Sequence, residues 1–236
     1  MKRRDFLSSL AVLGASVPLV NAKEVSGGQP WEPGTISTPP SPPRQGGRQY
    51  LTQHEFDTVA IIAERFIPHD EMSISGKEAG CAIFIDRQLA GDFGKATALY
   101  RLGRFIQGTP EQGPQWVHTP AERYRLGLAA LDKAVQQRYH TDFISLTGEQ
   151  QDTVLQAMEA NDFPLGSEID TKAFFELLLQ NVREGFISDP LYGDNKDMAS
   201  WKMIGFPGAR YDFRDLLDKK GQKLNIIPTS LIDNSL

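Results

Sequence analysis

The side chains that could do chemistry in this chain are few, and their spacing argues against most of it. Cys81 is the lone cysteine. One cysteine cannot hold an iron–sulfur cluster, and no Cys-x-x-Cys-His run is present to attach haem. No Gly-x-Gly-x-x-Gly follows a strand-like run, and no Gly-x-x-x-x-Gly-Lys loop is present, so neither a dinucleotide nor a phosphate fingerprint exists. His54-Glu55 has Thr58 where a zinc-protease pattern needs a second His. His54 and His69 stand about four helical turns apart, too far to share a metal. His118 and His140 flank one helix and add nothing sharper. Asp189, Asp194, Asn195 and Asp197 could be calcium ligands, but they miss the EF-hand spacing. Asp and Asn in tight turns more often bond to nearby backbone amides, and that structural reading is preferred. Cys81 keeps two readings. It is either a buried thiol on the core side of a helix or, as an odd cysteine in an exported chain, one half of an intersubunit disulfide.

What remains is recognition chemistry, concentrated in residues 183–208. Phe186, Tyr192, Trp201 and Phe206 sit among the turn signals Asp189-Pro190, Tyr192-Gly193 and Phe206-Pro207-Gly208. Gly185 is expected to stop the helix that leads into them, as a left-handed terminator. Irregular segments so rich in large aromatics must be pinned to their own domain or to a partner. Tyr192, Trp201, Lys202, Phe206 and Pro207 are the candidate contact residues, because Trp and Tyr are favoured at interface hot spots. Sealing of Trp201 and Phe206 onto their own helices explains the aromatics nearly as well.

The order Glu184-Gly185-Phe186, Ser188-Asp189-Pro190, Tyr192-Gly193, Asn195, Asp197-Met198, Trp201-Lys202 and Ile204-Gly205-Phe206-Pro207-Gly208 resembles the signature of the gluconate 2-dehydrogenase subunit 3 family. These are the small (gamma) subunits of membrane-bound, FAD-dependent sugar and polyol dehydrogenases. The likeness runs over residues 53–208, more weakly toward its start. Asp194 stands where a second glycine is usual, and Ser200 where glycine often precedes Trp-Lys. The resemblance implies that this chain binds no cofactor itself. FAD and an iron–sulfur cluster would belong to a large subunit, with haem c in a cytochrome c subunit if one completes the complex.

The positioning elements begin with an export signal. Lys2, Arg3 and Arg4 make a basic start, residues 6–20 a mildly apolar run, and Ala22 closes a small-residue cleavage site. Arg3-Arg4 followed by Phe6-Leu7 looks like a twin-arginine (Tat) signal, favoured here over an ordinary secretory signal. Residues 23–48 form a Pro- and Gly-rich arm. Trp31 favours an arm laid along a partner over an idle tether.

Residues 49–236 read as one helical domain. Thr52 with Glu55 fits a capping box, and Pro68 ends that first helix. A second helix is expected over residues 77–89, and a short helix or loop over 95–106. Thr119-Pro120-Ala121-Glu122 starts a helix reaching residue 139. Thr147 with Gln150 starts another, and Asp170 or Thr171 caps the last. No run of alternating β-branched residues appears. The fold class is therefore all-α, an irregular bundle with long loops. The tail from Leu216 ends in an apolar run, either a docking strand or a frayed end.

The chain has 236 residues, 40% apolar and 23% charged, with net charge -5. Lys2, Arg3, Arg4 and Asp5 together carry +2, so the chain from residue 23 carries -7. That acidity argues against nucleic acid as a partner. No stretch of eighteen apolar residues is present, so no membrane span is expected.

These features converge on a non-catalytic, periplasmic small subunit. It would assist maturation of a FAD subunit and carry it through the Tat translocase, held at the membrane by partner subunits. A free-standing periplasmic binding or cell-envelope protein is the alternative, and a stand-alone exported enzyme is a third reading.

Overall fold

The computed structural model describes residues 47–232, apart from 100, 102, 105, 107, 113–116, 211, 212, 223 and 225. Arg3, Arg4, Phe6, Leu7, Ala22 and Trp31 lie outside the described residues, as does most of the arm. Among the described residues the fold is all-α. It comprises α1 (Gln53–Phe66), α2 (Cys81–Ala90), α3 (Asp92–Lys95), α4 (Pro120–Tyr139), α5 (Gly148–Glu159), α6 (Thr171–Ile187) and α7 (Ala199–Ile204). Short 3₁₀ turns join them, and one isolated parallel bridge links Gly208 to Thr229.

Local chemistry explains most helix starts. Thr52 Oγ1 accepts the Glu55 N–H, and the Glu55 carboxylate accepts the Thr52 N–H at 2.8 Å. The same reciprocal box closes at Thr119 with Glu122 and at Thr147 with Gln150. Asp170, rather than Thr171, caps α6 by accepting the Ala173 N–H at 2.9 Å. Each cap satisfies helix-end donors that would otherwise face water or bury unpaired, and is worth ~1 kcal/mol.

Two expected boundaries are corrected. The second helix starts at Cys81, not near residue 77. Ser75 and Glu78 close a tight turn on each other, and Gly80 then adopts φ 92° before the helix begins. Gly185 does not end α6. The helix runs on to Ile187, and Ser188 caps it in extended geometry.

Helix α6 is the centre of the bundle, packing against α1, α2, α4, α5 and α7. It buries Phe174, Phe175, Leu178 and Val182. Burial of side chains this size stabilises by ~1.5–3 kcal/mol each. The Tyr124 ring of α4 meets Phe174 edge-on at 6.0 Å, and Asn181 donates to its hydroxyl at 3.0 Å. A buried phenol needs such a partner.

The point where the arm joins the bundle is clamped. Asp86 on α2 accepts the backbone N–H groups of Gln49, Tyr50 and Leu51 at 2.6, 3.0 and 2.7 Å. Arg125 of α4 pairs with Glu55, donates to Tyr50 O at 2.9 Å and stacks over the Tyr50 ring. The tail is docked rather than frayed at residues 229–232. Ala209 N–H donates to Thr229 O at 2.7 Å, and Ile232 is buried. No helix among the described residues is long and apolar enough to cross a membrane.

Candidate functional site

The central helix α6 delivers the aromatic loop directly. After Ile187 the chain makes a 3₁₀ turn at Pro190–Tyr192, capped by Asp189, whose side chain accepts the Leu191 N–H at 2.9 Å. Gly193 follows at φ 97°. Any other residue would be strained at that φ, so glycine suits the turn where the loop lies against α2. Arg87 donates to Tyr192 O at 3.3 Å, and Lys196 N–H donates to Ala79 O at 3.2 Å.

The loop's polar side chains hold the loop itself. Asn195 is fully buried and donates to Ser188 O at 2.8 Å. Its carbonyl accepts both the N–H and the hydroxyl of Ser200, at 3.0 and 2.8 Å. Asp189 also accepts the Ser230 hydroxyl at 2.7 Å and the Leu231 N–H at 3.0 Å, tying the tail to the loop. The oxygens of Asp189 and Asn195 are therefore occupied by chain donors, which is the turn role expected of them.

Asp194 is unlike its neighbours. It is 3% exposed, and Ser188 Oγ donates to its Oδ1 at 2.5 Å. Its Oδ2 is buried with no hydrogen-bond partner among the described residues. Burial pushes its carboxyl up to about 8, against the Ser188 hydrogen bond and the Arg87 charge. Cys81 lies close by at 0% exposure, with Sγ 3.6 Å from Val182 O. Burial and, secondarily, Asp194 push its thiol up to about 12, far from a reactive thiolate.

The candidate contact residues divide into two sets. Trp201 is 5% exposed, and its indole N–H donates to Ile187 O at 2.7 Å. It seals the loop onto the end of α6. Phe206 packs edge-on against Trp201 at 5.1 Å, yet keeps 43% of its surface exposed. Tyr192 meets Phe84 edge-on at 6.5 Å and keeps 47% exposed. Lys202 is exposed and Pro207 half-buried. Tyr192 and Ile187 border a shallow depression of 450 Å³ with Phe84, Gln88, Glu184 and Ser188. On the other side of the loop lies a larger groove of 710 Å³, lined by Phe56, Ile83, Arg87, Pro190, Gly193 and Ile232 among others. Sequence reasoning passed over Asp86 and Ser230. Each works through a contact with a residue distant in the chain, and no local pattern marks it.

Comparison with known proteins adds one finding. The profile of the family described as gluconate 2-dehydrogenase subunit 3 matches residues 53–208, so the chain belongs to that family. No curated protein and no solved structure matches it.

Proposed function

We propose that this member of the gluconate 2-dehydrogenase subunit 3 family is the non-catalytic small subunit of a membrane-associated, FAD-dependent sugar, polyol or gluconate dehydrogenase. It binds the large flavoprotein subunit, assists its maturation, and carries it outward through the twin-arginine signal at Arg3 and Arg4. FAD and the iron–sulfur cluster sit in that partner, and haem c in a cytochrome c subunit where one is present. The complex works on the periplasmic side of the membrane.

One observation carries this reading. The loop that bears the family signature uses its polar side chains to lock its own shape, while leaving Tyr192 and Phe206 half-exposed. A rigid loop presenting aromatic side chains is suited to protein docking, because little conformational freedom is lost on binding.

The test is co-expression with a candidate FAD-dependent dehydrogenase large subunit. Wild type is compared with an Arg3→Lys/Arg4→Lys variant, and flavin-linked dye reduction is followed in the periplasm. Activity that requires the arginine pair, with the two chains co-purifying, supports the reading. An active periplasmic flavoprotein in the absence of this chain overturns it. The 710 Å³ groove favours the alternative of a free-standing binding protein. A small ligand retained by the isolated, partner-free chain would put that reading first.

A further inference from the structure

We propose that Asp194 is a protonation-controlled latch: as a neutral acid it closes the loop of residues 188–198 onto α2 and α6, and its ionisation opens that loop.

The geometry comes first. Asp194 is inserted between two helices. A β-carbon on Gly185 of α6 would lie 2.7 Å from its Oδ2, and one on Gly80, which precedes α2, would lie 3.3 Å from its Cα. The Phe84 ring closes the same space. Only Oδ1 has a partner, the Ser188 hydroxyl. A carboxylate would place charge on an oxygen that no donor reaches, and burying an unpaired charge is far costlier than burying a neutral acid. The groups facing it are few. Its own backbone N–H and Arg87 on α2 favour the charged form, and Asp189 in the loop disfavours it. Cys81 on α2 is held as a neutral thiol, and Gly185 on α6 carries no charge.

The loop it closes is strained. Asn195, Asp197 and Met198 all have positive φ, at 44°, 56° and 54°. Left-handed geometry at a residue such as Met198 is costly and persists only when its surroundings impose it. Loss of the latch would therefore release the segment that presents Tyr192.

The sign follows from linkage. In the closed loop the carboxyl keeps its proton up to about 8, while in an open loop it would titrate in the ordinary range near 4. Between those limits the closed state holds one more proton than the open state. The opening equilibrium should then rise about tenfold per pH unit from roughly pH 4 to 8, and level off above.

The experiment is hydrogen exchange on the full chain at pH 5 to 8, comparing wild type with Asp194→Asn. Rates for amides of residues 189–200 are divided by those of an unstructured peptide of the same sequence. The expected result is an opening equilibrium that climbs with pH in wild type and stays flat in Asp194→Asn. Equal pH slopes in the two chains overturn the proposal. A second measurement needs no variant: the carboxyl ¹³C shift of Asp194 in wild type should be that of a protonated acid at pH 6.5. A carboxyl that titrates near pH 4 also overturns it. Neither readout depends on a partner, so the latch and the proposed subunit role can fail separately.

Discussion

A β-carbon on Gly185 would sit 2.7 Å from Oδ2 of Asp194, closer than any such atom can rest. The last turn of α6 and the loop that follows it therefore fit together through a missing methyl group. Gly185 lies inside the helix, where glycine costs ~1 kcal/mol relative to alanine. That cost is the condition for bringing a carboxyl side chain across the helix surface.

Gly185→Ala should consequently destabilise the protein even though it improves helix propensity. Overpacking costs ~1–3 kcal/mol, set against ~1 kcal/mol recovered in the helix. Chemical denaturation should show a net loss of about 1 kcal/mol. In an Asp194→Ala background the same substitution should be neutral or stabilising, because the Oδ2 contact is gone. Equal effects in both backgrounds would show that the two residues are not coupled.

The aromatic residues of the loop should separate into structural and contact roles. Trp201→Ala empties a buried site and strips Ile187 O of its donor, and should cost ~3–5 kcal/mol of stability. Tyr192→Ala and Phe206→Ala remove half-exposed side chains and should each cost under ~1 kcal/mol. Yet each should weaken binding to the proposed flavoprotein partner by about 2 kcal/mol if they are docking hot spots. Thermal unfolding and a binding titration on the same three variants make the comparison. Unchanged affinity in both exposed variants would remove this face from the interface.

Asn195→Ala should unfasten the loop. It deletes one donor to Ser188 O and one acceptor shared by Ser200 N–H and Oγ, all buried or partly buried. It also places alanine at φ 44°, which asparagine tolerates better. The combined loss should be about 3 kcal/mol. Hydrogen exchange should locate the added opening at residues 188–204, with α4 and α5 unaffected.

Cys81 should be inert while the protein is folded. Its thiol is pushed up to about 12, and it has no surface exposed. Alkylation by iodoacetamide at pH 8 should be slow in the native chain and rapid in denaturant. An intersubunit disulfide at this position would require α2 to part from α6. The folded thiol holds its proton more tightly than the unfolded one. Its stabilising contribution is therefore complete below the unfolded value near 9 and is lost as pH rises from 9 toward 12. Cys81→Ala should show a smaller alkaline loss of stability over that interval, measured by denaturation at pH 8 and pH 10.5.

The sequence by itself determined the starts of α1, α4 and α5 and the family. Thr52 with Glu55, Thr119 with Pro120 and Glu122, and Thr147 with Gln150 are contacts three residues apart, so chain order alone specifies them. The family signature is likewise an ordered string, matched over residues 53–208. The roles of the glycines were not legible in this way. Gly185 has the type expected of a helix terminator, but its purpose is the approach of Asp194 and Phe84, which lie 9 and 101 positions away. Nor could spacing divide the aromatics of the loop. A long helix has a period that assigns faces, whereas the short turns and the six-residue α7 of this segment are too brief to show one. Only the fold placed Trp201 under the end of α6 and left Tyr192 and Phe206 outside. The protonation of Asp194 belongs to the tertiary structure for the same reason: a carboxyl is shifted by the water it loses and the charges it meets, and both are properties of the packed molecule.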